Sequence, residues 1–135
     1  MILNLPVASV VVPVMPVTVR VPAKINLHLG VGSLRADGFH QLATVFQAVS
    51  LYDEVTIAPA RQFGIEIVGA SEGVPADEHN LAAKAVFAIA ARVGRPPNVA
   101  VTVRKSIPVA GGMAGGSADA AAALVACDSL WETGI

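Results

Sequence analysis

The stretch Ile107-Pro108-Val109-Ala110-Gly111-Gly112-Met113-Ala114-Gly115-Gly116-Ser117-Ala118-Asp119-Ala120-Ala121 sets four glycines within six residues and then runs into alanines. Glycine loses more backbone freedom on folding than any other residue, so such a cluster calls for unusual backbone angles or the close approach of a ligand. Alanine is the strongest helix former, so the segment reads as a loop opening a helix from about Ser117 to Trp131. Before it, Val99-Ala100-Val101-Thr102-Val103-Arg104 alternates as a strand. The unit is therefore strand–loop–helix. The start of a helix offers unpaired N–H groups and a partial positive charge, which suits phosphate. A plain flexible connection is the other reading of the same residues.

Two familiar phosphate loops are excluded. No Gly-Lys pair occurs anywhere in the chain, as a P-loop requires, and no G-x-G-x-x-G fingerprint is present.

Outward from this loop, the pattern changes once. Val17 to Val21 and Ile25 to Leu29 alternate as strands on either side of Pro22, with Ile25, Leu27 and Leu29 on one face and Asn26 and His28 on the other. Gly30, Gly32 and Asp37-Gly38 read as a loop. Thr44 to Val49 and Glu54 to Ala58 read as strands adjacent across Tyr52-Asp53, and Gly64 to Val68 as a further short strand. From Asn80 to Val93 the spacing is helical, with Val86, Ile89, Ala90 and Val93 on one side and Lys84 opposite; Gly94 and Pro96-Pro97 end it. On the last helix, Leu124, Cys127 and Trp131 share a stripe. Strands first and helices later indicate an α+β domain.

The 135 residues suit one domain, and 54% apolar content with only 4% aromatic requires a core of Ala, Val, Ile and Leu. A formal charge of -1 leaves no basic stripe for nucleic acid or acidic membrane, though a local anion site remains open. The single cysteine, Cys127, excludes an intrachain disulfide and fits a small core residue. Residues 1–16 read as a disordered leader and 17–135 as the folded domain. The first cation is Arg20, so the start lacks the basic region of a signal peptide, and Pro6, Pro13 and Pro16 would break a membrane helix. Met15 is an alternative start, and the cytoplasm is the expected location.

Several side chains are candidates for chemistry. Lys24 stands among apolar neighbours and could hold a phosphoryl group by charge or polarise a hydroxyl; a lysine snorkelling from a strand edge is the alternative. Phe39 and His40 could stack on a base and hydrogen-bond its edge, or be a loop aromatic folded onto the core beside a surface histidine. Asp119 reads first as an acid favouring the helix dipole, with a direct role as the alternative. His28 and His79 have no partner at ligand spacing, so magnesium is expected only with a nucleotide.

Pro22-Ala23-Lys24-Ile25-Asn26-Leu27, Arg35-Ala36-Asp37-Gly38-Phe39-His40, Thr44-Val45-Phe46-Gln47, Asn80-Leu81 and Ile107 to Ala121, in this order, resemble the amino-terminal half of the 4-diphosphocytidyl-2-C-methyl-D-erythritol kinases, a branch of the GHMP small-molecule kinases. The resemblance runs from about Val17 to Trp131. It implies the GHMP amino-terminal domain, a mixed or antiparallel sheet with helices on one side, whose fold is shared with a ribosomal-protein domain. It implies ATP with magnesium as cosubstrate and transfer to the 2-hydroxyl of a cytidine-diphosphate sugar alcohol, in the non-mevalonate route to isoprenoids. On that resemblance Lys24 is catalytic, Asn26 lines the acceptor region, and Phe39 and His40 bind cytosine. Pro108 to Ala118 form the ATP phosphate loop, and Asn80 lies near the adenine.

Phe39 stands where the family often has tyrosine, Met113-Ala114 replaces the commoner Leu-Gly, and Ala118 replaces a second serine. The family's catalytic aspartate belongs to a Gly-x-Asp-Val-Pro segment with no counterpart here, and its carboxy-terminal domain is expected to be missing. Little or no turnover is therefore expected of these 135 residues, and the face left uncovered could pair two copies as a homodimer. Other GHMP kinases, acting on homoserine or a mevalonate-pathway alcohol, and a non-catalytic nucleotide- or RNA-binding module are the rival readings.

Overall fold

The computed structural model describes residues 14–69 and 72–135. The leader expected over 1–16 falls largely outside them. Two long strands come first, β1 (Val17–Leu34) and β2 (His40–Pro59), followed by β3 (Gly64–Gly69). Helix α1 (Leu81–Arg92), strand β4 (Val99–Lys105) and helix α2 (Gly115–Trp131) complete the order. The sheet runs β1-β2-β4-β3, antiparallel except for the parallel pair β3 and β4. This is the expected α+β mixed sheet.

Both helices cover one face of it. Val55 and Ile57 of β2 and Val99, Val101 and Val103 of β4 meet Val86 and Ile89 of α1 and Ala122, Ala123, Ala126 and Cys127 of α2 in one core. Residues of the other parity on β4, Ala100 and Arg104, are exposed. Small alanines let the two helices lie close, as the composition requires. Cys127 is fully buried, and burial pushes its thiol up to about 11, which fits an inert core residue.

The ends of α1 follow from sequence. Asn80 has extended backbone and its Oδ1 accepts the Ala82 N–H at 2.8 Å, while Gly94 takes φ +67° just past the C-terminus.

Three expectations fail in the first half of the chain. Pro22 does not separate two strands: β1 is continuous, and as a sheet edge it accommodates a proline, with a register shift at Pro22/Ala23. Gly30 and Gly32 lie within β1, and the turn is confined to residues 35–39, closed by Gly38 N–H on the Arg35 carbonyl. Tyr52-Asp53 is no turn. Both lie inside β2, where Tyr52 pairs with Pro22 and Asp53 is fully buried. On α2, Leu124 is 41% exposed, so it leaves the Cys127 stripe for solvent.

Candidate functional site

Helix α2 begins two residues before the expected Ser117. Its cap position is Ala114, whose side chain offers no acceptor, and its first helical bond runs from Ala118 N–H to the Ala114 carbonyl. The N–H groups of Gly115, Gly116 and Ser117 therefore precede the helical ladder. They border a cavity of about 410 Å³ lined by Pro108 to Ser117, Lys105 and Asp119 on one side and by Gly73, Val74, Pro75, His79, Asn80 and Leu81 on the other. That size suits a small-molecule ligand.

The glycines act differently from one another. Gly112 has φ +68°, but the loop's other left-handed residues are Ala110 and Ala114, at φ 59° and 60°. Left-handed backbone costs an L-residue about 1–2 kcal/mol, so the loop is held in this shape by its surroundings. Gly115 serves close approach instead. A Cβ there would sit 3.0 Å from both Ile107 Cγ2 and Lys105 Nζ.

The root of the loop rests on a buried charge cluster that sequence reasoning missed. Lys105 closes β4 and is 5% exposed; its Nζ donates to Asp53 Oδ2 and, at 2.7 Å, to Asp119 Oδ2. Asp53 Oδ1 accepts the N–H groups of Ser106 at 2.6 Å and Ile107 at 2.9 Å. Asp119 Oδ1 is buried without a hydrogen-bond partner. One ammonium thus serves two carboxylates. Burial works to raise Asp53, but the Ile107 N–H, Lys105 and the Ser106 N–H outweigh it and hold its carboxyl below the usual range. Burial of Asp119 prevails over the pull of Lys105 and, with the Asp53 charge beside it, pushes it up to about 6. Burial tends to lower Lys105, yet its bonds to Asp119 and Asp53 raise it. Of the two carboxylates, Asp119 is the less well stabilised in its charged form. The dipole reading of Asp119 is corrected accordingly: no acid lies in the first turn of α2, and Asp119 is buried beneath the cavity wall with its Oδ2 on Lys105.

Parity could have revealed the cluster. Asp53 shares its side of β2 with Val55 and Ile57, and Lys105 shares its side of β4 with Val99, Val101 and Val103.

Lys24 lies against the opposite flank of the loop. Its backbone N–H donates to the Met113 carbonyl at 3.2 Å, and its Nζ donates to the Gly112 carbonyl and to Asn26 Oδ1, each at 2.7 Å. The Phe46 ring centre lies 5.2 Å from the same Nζ. Asn26 continues through Nδ2 to Thr44 Oγ1 at 2.6 Å. Lys24, Asn26 and the glycine loop are thus joined. Asn80 lines the far wall of the cavity, but its amide is committed, capping α1 and donating to the Pro75 carbonyl at 2.8 Å. Phe39 and His40 stand apart at the tip of the β1–β2 hairpin. Phe39 is 72% exposed, and His40 Nδ1 lies 2.8 Å from the Gly32 carbonyl oxygen. Phe39 is not folded onto the core. Among the described residues no helix is long and apolar enough to cross a membrane.

Residues 80–135 match the family model described as the GHMP kinases N terminal domain. The 4-diphosphocytidyl-2-C-methyl-D-erythritol kinase of Mycolicibacterium gilvum is 58% identical over 129 residues, 95% of this chain and 40% of the relative. That of Streptomyces coelicolor is 62% identical over 123 residues, 89% of this chain and 41% of the relative. The chain thus spans about two fifths of the length of the curated relatives it matches. A crystal structure of 4-(cytidine 5'-diphospho)-2C-methyl-D-erythritol kinase superposes with a TM-score of 0.73 at 34% identity, covering 88% of this chain and 42% of that one. A homoserine kinase from Cytophaga hutchinsonii shares the fold at a TM-score of 0.68 and 19% identity, over 89% of this chain and 36% of that one. The matched segment contains the uncapped helix start and its glycine loop, and the strands before it superpose on the solved kinase: residues 80–135 match the GHMP amino-terminal domain, and the chain has the fold of that domain.

Proposed function

We propose that this chain is the ATP-binding portion of a kinase that phosphorylates the 2-hydroxyl of 4-diphosphocytidyl-2-C-methyl-D-erythritol, in the cytoplasm and with magnesium arriving on the nucleotide. The observation that carries the reading is the Lys24 ammonium held 2.7 Å from the Gly112 carbonyl, beside a helix start whose N–H groups are unpaired. In this arrangement Gly115, Gly116 and Ser117 donate to phosphate oxygens, and the glycines keep side chains out of the way. Lys24 places positive charge beside the transferring phosphoryl group, where it stabilises the negative charge spread over the phosphoryl oxygens in the transition state. Asn26 orients the acceptor side. Phe39 stacks on cytosine and His40 reads its edge, which gives an exposed aromatic on a polar turn a use. Asn80 contributes to the adenine end of the cavity through packing, since its amide is committed to α1.

The test is phosphorus NMR of the full-length gene product with Mg-ATP and the cytidylyl substrate. A new phosphomonoester signal, absent in Lys24→Ala, is the expected result. Turnover with homoserine or another alcohol instead, unaffected by added cytidine diphosphate, would replace the cytidine assignment with another GHMP activity.

A further inference from the structure

Thr44 lies on β2 in register with Leu29, next to a point where β1 slips against its partner between Asn26 and His28. That slip leaves Leu27 without an opposite residue and re-aims the side chains around it. Thr44 is the last polar member of a relay that ends at the glycine loop. Its Oγ1 donates to the His28 carbonyl at 2.8 Å and accepts from Asn26 Nδ2 at 2.6 Å. Asn26 Oδ1 then accepts from Lys24 Nζ, which also donates to the Gly112 carbonyl.

The donors and acceptors in this relay can be counted. A hydroxyl has one proton, and a backbone carbonyl can only accept. With its proton on His28, Thr44 has only lone pairs left for Asn26, so Asn26 must turn its NH₂ towards Thr44. Its carbonyl oxygen then faces Lys24. In the flipped orientation the NH₂ would meet the ammonium, donor against donor, while Oδ1 would meet a lone pair on Thr44. Two contacts would be lost together. An ammonium has three protons; Asn26 and Gly112 take two, which fixes the direction of the third.

We propose that Thr44 is a positioning residue: by fixing the Asn26 amide it holds the Lys24 ammonium on Gly112, with its remaining N–H directed at a polyphosphate bound on the loop. The part concerning polyphosphate rests on the function proposed above, whereas the positioning of Lys24 does not.

Two measurements on the 135-residue chain separate these. The first is the nitrogen-15 NMR signal of the Lys24 ammonium in the chain without ligand, assigned by its loss in Lys24→Arg. A resolved, slowly exchanging ammonium is expected in the parent and in Thr44→Ser, which keeps the hydroxyl. In Thr44→Val and Thr44→Ala, with amide spectra showing the fold retained, that signal should broaden or collapse to the free-lysine position. Two substitutions of different size guard against one failing to fold. An unchanged Lys24 signal in either folded variant overturns the proposal, and so does loss of the signal in Thr44→Ser. The second is titration with inorganic tripolyphosphate. Thr44→Val should weaken binding about tenfold, the lower range for a hydrogen bond to a charged group. Asn26→Leu should weaken it similarly, and the double variant should be little worse than either, because both break one relay. Fully additive losses overturn the relay. Absence of tripolyphosphate binding by the parent, with the ammonium signal responding as described, removes the phosphate-loop reading and leaves the positioning of Lys24 supported.

Discussion

The two ends of the β1–β2 hairpin carry similar sequences and meet different fates. At the root, Val17, Val19 and Val21 pack against the core, and Ala23, Val55 and Ile57 are fully buried. Towards the tip, Leu27, Leu29, Leu42, Val45 and Phe46 are between 53% and 62% exposed. Both regions alternate as strands do. Alternation assigns residues to sides of a sheet, but only a covering element makes one side an interior. Helix α2 lies over the root, where β4 extends the sheet beside β2; among the described residues nothing covers the tip.

The comparison can be broken by substitution, and the largest effect belongs to the root's charge cluster. Lys105→Met should destabilise the chain by about 3–5 kcal/mol, because Asp53 and Asp119 would remain buried without their shared cation. Urea denaturation would read it, and a loss under 1 kcal/mol would mean that the cluster is not an anchor. Ile57→Ala should cost about 2–5 kcal/mol for the buried methyl and methylene groups removed. Leu29→Ala, at the exposed tip, should change stability by less than about 0.5 kcal/mol. Equal losses at Ile57 and Leu29 would show that the tip is covered after all.

A pH series sharpens the comparison further. Asp119 takes up a proton at about 6 in the folded chain against an ordinary value of 3.8, so protonation favours the fold. Its contribution is complete below the ordinary value and is lost as pH rises through about 6. Stability of the parent should therefore fall between about pH 4 and 6 relative to Asp119→Asn, in which this dependence disappears; parallel denaturation midpoints for the two would contradict it. A small effect of opposite sign is expected at Ala110→Gly. Relief of left-handed strain and the greater entropy of unfolded glycine nearly cancel, giving a gain of at most about 1 kcal/mol in thermal unfolding.

Much of this architecture is legible in the amino-acid sequence. The α+β class, both helices, β3 and β4 follow from a change of period and from Asn80, Gly94 and the glycine loop acting as punctuation. The hairpin was harder because its punctuation misleads. Pro22 is tolerated where an edge strand has no partner for the missing N–H, and Gly30 and Gly32 stay extended in an exposed arm. Within the candidate site, Lys24 and the loop were legible as residue types in suggestive places. The Asp53–Lys105–Asp119 cluster was not, because charged residues read as surface unless strand parity is carried through them. The left-handed alanines were also illegible, since the glycines beside them are the residues that a sequence rule selects for positive φ.

The anchoring of the loop root by Asp53 also bears on how the chain opens. Asp53 and Ile107 are separated by 54 positions, and the bonds to Ser106 and Ile107 exist only when β2 and β4 are already paired. Local fraying of the loop cannot release those two amides. Their hydrogens should exchange with solvent at the rate set by unfolding of the entire sheet, while amides at the hairpin tip exchange through openings that leave the rest intact. The Ser106 and Ile107 amides are thus built-in reporters of global opening, placed at the margin of the candidate nucleotide cavity.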